Sequence, residues 1–493
     1  MLQERSSGLL LHPTSLPGND GIGDLGPAAY AWIDTLAAMG CTYWQVLPLG
    51  PTGYGDSPYQ CFSSFAGNPY LISTDLLIRD QLLDEPTDRP DFPSHSVDYG
   101  ATIKWKTTLI DRAYLTFGQT VPAGLSHELD RFVQSEFAWL DDFALFMVIK
   151  ARQGGGSFTG WSAEFRDHVP AAIEQLRIDA HDELRRVAFG QFLFFRQWHA
   201  LHQYADSRGI RIIGDLPIFV SSDSADVWAN RGLFEVDETG KPTLVAGVPP
   251  DYFSSTGQLW GNPQYRWDVH AGQGYRWWMD RLAATLHLVD LVRIDHFRAF
   301  ADYWEIPAGS PTAESGRWLD GPGEGFFHVV AEHFPDMPII AEDLGEISEA
   351  VFELRDKFEL PGMKILQFAF DGDEANPFLP HFFPANCVVY TGTHDNDTTV
   401  GWWNTSDEAT RHQARTYLGI DGSHIAWNVI TAAWESRAAL SIAPLQDLLG
   451  LDGSARMNLP GEPAGNWSWR MRDLDIPAEV VQRMRELNER TGR

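Results

Sequence analysis

Short, continuously apolar runs recur along the chain and predict buried strands. Each run is bounded by polar residues, proline or glycine, and its apolar residues are consecutive. A strand that is covered on both faces has this continuous apolar pattern, whereas apolar and polar residues alternate along a strand with one exposed face. The runs comprise residues 8–12, 42–48, 210–217, 288–295, 338–343, 363–370, 387–395 and 440–446.

Helical patterns lie between most of these runs. One of them, PAAYAWIDTLAAMG, opens with Pro27 at a first-turn position and closes on Gly40, and both residues are common at helix boundaries. Residues 274–288 and 347–360 show similar patterns. Strands that alternate with helices eight times predict an α/β fold of the (β/α)8 TIM-barrel type.

The spacing of the runs predicts where the barrel is interrupted. The second and third runs are far apart, so we expect a helix-rich insertion at about residues 53–205. A second insertion, rich in loops, is expected at about 217–275, between the third and fourth strands. We place both at the C-terminal face of a single domain that spans residues 1–493. The chain after the eighth run is too short for a β-sandwich, so none is expected there.

Charge and cysteine content narrow the classes of partner and compartment. A formal net charge of −30 would repel nucleic-acid phosphates, so we expect no nucleic-acid partner. The three cysteines, Cys41, Cys61 and Cys387, are too scattered for a disulfide framework or a zinc knuckle. The first residues resemble neither a signal peptide nor a membrane anchor, which favours the cytoplasm. The oligomeric state stays open.

Four of the runs end in an acidic residue: Asp215, Asp295, Glu342 and Asp395. In a TIM barrel such residues meet at the C-terminal mouth, where active sites are built. A single acid at a strand end is commonplace as a helix cap, and Asp215 could equally be part of a structural salt bridge. Four acids in one mouth would repel one another unless their clustering has a use. Cleavage of a glycosidic bond is such a use, because it needs a carboxylate and a carboxylic acid together.

The neighbours of these acids suggest separate roles. Arg293 lies two residues before Asp295, so both side chains face the same way on a strand, and the guanidinium favours an ionised nucleophile. Crowding by other carboxylates should raise the pKa of Glu342, as a proton donor requires. If the fourth and fifth strands are neighbours, the two carboxyl groups can lie about 5 Å apart, which is the retaining separation. Asp395, with His394, would bind sugar hydroxyls and stabilise the transition state.

Aromatic residues support a carbohydrate partner. The chain has 19 Trp and 13% aromatic residues, many of them in stretches broken by glycine and proline. Aromatic faces pack well against the C–H groups of a pyranose ring. Filling of a large core remains an equal explanation for these clusters.

Several of the same segments carry a family resemblance. VRIDHFR, IIAEDLG, YTGTHDND and GDLPIFV resemble four short conserved regions of the α-amylase superfamily. SGLLLHPTSLPG, WQVLPLGPTGYGDSPYQ, VPPDYFSSTGQLWGNPQY and GNWSWR look like the 4-α-glucanotransferases, or amylomaltases. The resemblance covers about residues 8 to 470, and amylomaltases similarly lack a C-terminal β-sandwich.

The resemblance implies the same roles for the acids. Asp295 would be the nucleophile, Glu342 the general acid/base and Asp395 the transition-state stabiliser, with Arg293 and His394 assisting them. The partners would be α-1,4-glucans and maltooligosaccharides, and the reaction a double displacement without a cofactor or a metal.

It also implies a set of sugar-binding residues. Tyr59 would stack on the sugar at the cleavage point, with Ser57 and Asp215 nearby. Gln258 and Trp260 would belong to a mobile loop at about residues 246–262 that covers the acceptor sugars. Tyr54 would lie near a second glucan site.

Other functions remain to be weighed against this one. A plain α-glucan hydrolase and a catalytically inactive glucan-binding protein are the two alternatives. A metal site at His394, Asp395 and Asp397 is conceivable, although no established metal motif accompanies these residues. The GIGDLG segment at 21–26 matches a dinucleotide-binding pattern, but it does not follow its strand directly and is interpreted as a loop.

Overall fold

A parallel barrel is the centre of the computed structural model, which describes residues 4–120, 123–250, 254–345, 347–462 and 464–493. The strands in these ranges are β1 (Ser6–Leu10), β2 (Tyr43–Gln45), β3 (Arg211–Pro217), β4 (Leu244–Val248), β5 (Gln258–Pro263), β6 (Leu291–Asp295), β7 (Asp302–Pro307), β8 (Arg317–Asp320), β9 (Ile339–Ala341), β10 (Gly362–Ile365), β11 (Cys387–Tyr390) and β12 (Leu440–Pro444). Eight of them pair in parallel, in the order β10-β11-β12-β1-β2-β3-β6-β9. The Ala341 N–H donates to the Pro361 carbonyl at 2.9 Å, where the two outer strands meet. The prediction of a (β/α)8 barrel is therefore confirmed.

Each barrel strand overlaps one of the eight apolar runs, and its burial explains why the run is continuous. On β9, Ile340 packs inside the barrel, whereas Ile339 and Ala341 pack outside it. On β6, Leu291 lies inside and Val292 lies outside. Because successive side chains of a strand point to opposite faces, both faces must be apolar when both are covered.

Helices cover the outside of the barrel and form the long connection between β2 and β3. They are α1 (Pro27–Ala38), α2 (Thr74–Arg79), α3 (Tyr99–Thr120), α4 (Ala123–Ser135), α5 (Phe137–Arg152), α6 (Ala163–Arg166), α7 (Pro170–Asp179), α8 (His181–Ser207), α9 (Ala225–Ala229), α10 (Trp267–Gly272), α11 (Arg276–Leu288), α12 (Gly323–His333), α13 (Glu349–Lys357), α14 (Thr399–Thr405), α15 (Glu408–Leu418), α16 (Ile425–Glu435), α17 (Leu445–Leu448) and α18 (Ala478–Thr491). α1 begins at Pro27, as its pattern predicts. No helix in the described ranges combines the length and the apolarity that crossing a membrane requires.

A buried lysine joins the helical connection to the loop after β1. Lys106, on α3, is 1% exposed, and its ammonium donates to the Ile72 carbonyl at 2.5 Å. It lies 3.4 Å from a carboxylate oxygen of Asp24, in the GIGDLG segment. Asp24 in turn accepts a hydrogen bond from the Gly26 N–H at the start of α1. The segment is a loop with a structural role in this contact.

A second sheet was not predicted from the sequence. β5, β4, β7 and β8 pair in this order as an antiparallel sheet. Its first two strands lie in the region expected to be loop-rich, and the other two follow β6. The strands are short, the pairing of β4 with β7 joins distant segments, and the register shifts between Val245 and Gly247. Local patterning gives little signal for such a sheet.

The predicted loop at residues 246–262 therefore needs correction. Gln258 and Trp260 lie in β5, the edge strand of the antiparallel sheet, rather than in a loop. Residues 251–253 of the predicted loop lie outside the described residues. After β12, the described residues contain no further strand, in agreement with the expected lack of a β-sandwich.

Candidate active site

Alternation along the barrel strands brings the acidic residues to the same interior. Arg293 and Asp295 share the inward face of β6 with Leu291, since they lie two and four residues beyond it. β6 pairs with β9, and the Glu342 N–H donates to the Ile294 carbonyl at 3.1 Å. Glu342 therefore follows its strand directly beside Asp295.

Arg293 links two of the acids. Its Nη1 donates to both carboxylate oxygens of Asp215, at 2.9 and 2.7 Å, and its Nη2 donates to Oδ1 of Asp295 at 2.9 Å. Arg293 and Asp215 are almost fully buried, whereas the Asp295 side chain is 29% exposed. The salt bridge that the sequence allowed for Asp215 is present, and the same guanidinium holds one oxygen of Asp295.

Glu342 has a different environment. Its Oε2 accepts the His296 N–H at 2.7 Å and its Oε1 accepts the Leu344 N–H at 3.1 Å. His296 has a left-handed backbone conformation, with φ 55 and ψ 47, and this turn follows Asp295 directly. Burial raises the pKa of Glu342 to about 8, and the charge of Asp295 adds to this effect while Arg293 opposes it. The predicted rise is confirmed, although burial rather than crowding is its largest cause.

Asp395 lies in the loop after β11, and two side chains hold its carboxylate. Oδ1 accepts a hydrogen bond from Nδ2 of Asn458 at 2.6 Å, and Oδ2 lies 3.3 Å from Nε2 of His394. The pairing with His394 agrees with the prediction. Asn458 was missed, because it is distant in sequence and no local pattern marks it.

Tyr59 connects the two halves of this cluster. Its hydroxyl donates to Oδ2 of Asp215 at 2.8 Å, and its ring stacks on His394 with centroids 5.1 Å apart. Burial and the charge of Asp215 raise the pKa of Tyr59 well above its ordinary value, so the hydroxyl stays a neutral donor. Trp467 packs against both rings, at 5.6 Å from Tyr59 and 5.9 Å from His394. Trp467 was not among the predicted site residues, although its GNWSWR segment is part of the family resemblance.

The remaining predicted binding residues lie further out. Oγ of Ser57 accepts the Tyr59 N–H at 3.2 Å and so shapes the turn before Tyr59. Nε1 of Trp260 donates to Oε1 of Gln258 at 3.2 Å. The Trp260 ring meets His296 edge-on at 4.8 Å, which places β5 beside the turn after Asp295.

Tyr54 is separate from this cluster. It is 77% exposed, and its side chain makes no hydrogen bond or ring contact with another described residue. Tyr54 therefore makes no contact with the acidic residues of the cluster among the described residues.

No described residues form a metal site. Within the described ranges, no three His, Cys, Asp or Glu side chains come together in a way that could hold an ion. His394 faces Asp395 and stacks on Tyr59, whereas Asp397 accepts the Thr398 N–H at 2.8 Å.

Known proteins show the same combination of fold and sequence. The family described as 4-alpha-glucanotransferase matches residues 11–475 of the chain. A 4-alpha-glucanotransferase of Thermus thermophilus is 48% identical, with 99% of each chain covered. A chloroplastic/amyloplastic 4-alpha-glucanotransferase of Arabidopsis thaliana is 43% identical, over 99% of this chain and 86% of its own.

A solved structure agrees with these sequence matches. The amylomaltase from Streptococcus agalactiae, determined in complex with acarbose, superposes with a TM-score of 0.96 at 37% identity. The match covers 99% of this chain and 100% of the amylomaltase. The chain therefore belongs to the 4-α-glucanotransferase family.

Proposed function

We propose that this 4-α-glucanotransferase moves α-1,4-glucan segments between maltodextrin chains by a retaining double displacement. Asp295 attacks the anomeric carbon of the donor, while Glu342 protonates the departing glycosidic oxygen. Glu342 then removes the proton from the 4-hydroxyl of an acceptor sugar. The acceptor oxygen attacks the anomeric carbon, and the bond to Asp295 breaks.

The observation that carries this proposal is the contrast between the two neighbouring acids. Arg293 donates a hydrogen bond to Oδ1 of Asp295 and places a positive charge beside it. Burial raises the pKa of Glu342 to about 8, so that this carboxyl carries a proton at neutral pH. A carboxyl group bound by a cation, beside a buried carboxyl group whose pKa is raised, is the arrangement that a nucleophile and a proton donor require.

The other residues of the cluster would bind and orient the sugar. Asp395 and His394 would bind hydroxyls of the sugar that is transferred, because the partly exposed Asp395 carboxylate lies next to His394, whose ring stacks on Tyr59. Tyr59 would stack on the same sugar, with Asp215 and Ser57 fixing its position through the hydrogen bonds described above.

Residues of the antiparallel sheet would contact the acceptor. Gln258 and Trp260 lie on β5, beside the turn that follows Asp295. An aromatic side chain at this position can exclude water and stack on an acceptor sugar, which favours transfer over hydrolysis. The exposed Tyr54 would serve a second glucan site on the surface.

Domain organisation and compartment complete the proposal. We infer one catalytic domain over residues 1–493, with the helical insertion at about 53–205 and the second insertion at about 217–275. The three cysteines are unpaired, which agrees with a reducing cytoplasm.

Incubation with maltotriose tests the reaction. Transfer produces glucose together with a ladder of longer maltodextrins, whereas shorter products alone would show a hydrolase. No products at all would favour the inactive glucan-binding protein. Asp295→Asn and Glu342→Gln should abolish the ladder, whereas the exposed controls Asp91→Asn and Glu349→Gln should leave it unchanged.

A further inference from the structure

Residues 456–462 and 464–471, called here the mouth segment, lie beside the loop that carries Asp395. The Asn458 N–H donates to the His394 carbonyl at 3.0 Å. Further along, the Ser468 carbonyl accepts the Val97 N–H at 2.7 Å. The backbone of the mouth segment is thus fixed to the Asp395 loop on one side and to the helical insertion on the other.

This backbone presents two side chains to Asp395. Nδ2 of Asn458 donates to the carboxylate oxygen Oδ1 at 2.6 Å. Arg456 donates to the main-chain carbonyl of Asp395 and, through Nε at 2.7 Å, to the carbonyl of Asn458. Arg456 therefore links the main chains of Asp395 and Asn458, and the side chain of Asn458 bonds to the Asp395 carboxylate itself.

The Asp395 carboxylate has few other restraints. Its side chain is 39% exposed, more than that of Asp295 or Asp215. Only the longer contact with His394, at 3.3 Å, holds its second oxygen among the described residues. Without Asn458, rotation about the side-chain bonds of Asp395 would be limited by one contact alone.

We propose that Asn458 is a positioning residue, which sets the rotation of the Asp395 carboxylate so that it meets the hydroxyls of the transferred sugar. The inference rests on the function proposed above for Asp395 and assigns to a residue of the mouth segment the task of holding it. A group held within a small angle of its productive geometry stabilises the transition state without reorganising during the reaction.

The expected effect is on turnover more than on binding. In Asn458→Ala the Asp395 carboxylate can adopt several rotations. The transition state should therefore lose more stabilisation than the bound substrate does. We expect kcat to fall about 10- to 100-fold, the range that a lost hydrogen bond to a charged group allows, with little change in KM.

A second amide in the mouth segment gives a matched control. Asn466 donates to the carbonyls of Leu459 and Glu462 and makes no hydrogen bond to Asp395. Asn466→Ala should therefore loosen the mouth segment but leave kcat close to that of the unchanged enzyme. Equal losses of kcat in Asn458→Ala and Asn466→Ala would overturn the proposal, because the fold of the segment would then be what matters.

Asn458→Asp adds a readout that a merely structural role would not produce. The introduced carboxyl has nearly the same size, but when ionised it repels Asp395, and when protonated it can donate as the amide does. The ratio of its kcat to that of the unchanged enzyme should rise as the pH falls. A ratio that stays constant with pH would contradict the proposal, and this test needs only that Asn458→Asp folds.

Asp395→Asn separates this proposal from the proposed function. If Asp395→Asn retained full activity, the role of Asp395 in the reaction would be wrong. If it lost activity while Asn458→Ala retained kcat, only the positioning role of Asn458 would fail. Circular dichroism and the melting temperature of each variant show whether it is folded.

Discussion

Strand β6 is preceded by one aspartate and ends with another, and the two side chains have different surroundings. Asp290, just before the strand, accepts the Ile212 N–H at 2.7 Å and lies 3.0 Å from Nε2 of His202, both through Oδ2. Asp295, at the mouth, has one oxygen bound by Arg293, and its Oδ2 has no hydrogen-bond partner among the described residues. The first carboxylate is bound by a strand main chain and a helix side chain, whereas the second is bound by a buried guanidinium at the barrel mouth.

The end of β9 shows the same division between adjacent residues. Asp343 accepts the Met363 N–H at 2.7 Å and forms a salt bridge with Arg355, so it holds β9 to β10 and α13. Glu342 points the other way, into the barrel, where burial raises its pKa to about 8. Acidic residues are therefore common around this barrel, and the two proposed to react differ from the others in facing its interior, beside Arg293.

Replacing the mouth aspartate should have the largest effect. Asp295→Asn removes the proposed nucleophile, so we expect kcat to fall by about 10⁴-fold or more, as losses of catalytic nucleophiles do. Asp290→Asn, at the other end of the same strand, should keep its activity. Steady-state transfer from maltotriose measures both, and comparable losses in the two variants would remove the distinction between the strand ends.

Replacing Arg293, the cation that binds both Asp215 and Asp295, should have the next largest effect. Arg293→Lys keeps the charge but cannot donate to Asp215 and Asp295 together, because an ammonium lacks the planar fork of a guanidinium. We expect kcat to fall about 10²- to 10³-fold, as for loss of one preorganised donor. Arg355→Lys, at the structural pair with Asp343, is the matched control and should leave kcat nearly unchanged.

The pH profile should report the protonation of Glu342. As the proposed acid, Glu342 must carry its proton to act. Its pKa is raised to about 8, so kcat/KM should fall as the pH rises above about 8, tenfold per pH unit. Initial rates from pH 6 to 10, with folding checked at each value, measure this decrease. A rate that falls already near pH 5 would show that the carboxyl keeps its ordinary pKa.

The smallest effect is expected at the lower end of β6. Burial alone would raise the pKa of Asp290, but the bonds from His202 and the Ile212 N–H lower it overall. A lowered folded pKa stabilises the protein above the unfolded pKa, and this contribution is lost as the pH falls through the folded value. Asp290→Asn should cost about 1 kcal/mol at pH 7, since its side chain is 36% exposed. Urea unfolding at pH 7 and at low pH should show the difference shrinking on acidification.

The sequence allowed the barrel and its acids to be predicted because their signals are local. A strand buried on both faces is continuously apolar, and Asp295 and Glu342 end such runs. The alternation of a strand was enough to place Arg293 beside Asp295, and the structure shows the bond between them. Tyr59 and Trp260 were named only through the family resemblance.

Other parts of the site depend on contacts between distant segments. Asn458 reaches Asp395 across 63 positions of the chain, and Trp467 packs on Tyr59 from still further away. The antiparallel sheet pairs β4 with β7, which lies beyond β6 in the sequence, and its edge strand β5 lies in the segment that was predicted to be a loop. Neither hydrophobic period nor strand-end position carries information about such contacts.

The central claim is a covalent bond between the donor sugar and Asp295. A fluorinated maltosyl fluoride, which has a good leaving group and a slowly resolved intermediate, should trap it in the unchanged enzyme. Peptide mass mapping should then find one added fluorinated maltosyl group on the peptide that contains Asp295, and none in Asp295→Asn. A label on another residue, or turnover of the donor with inversion at the anomeric carbon and no label, would contradict the account.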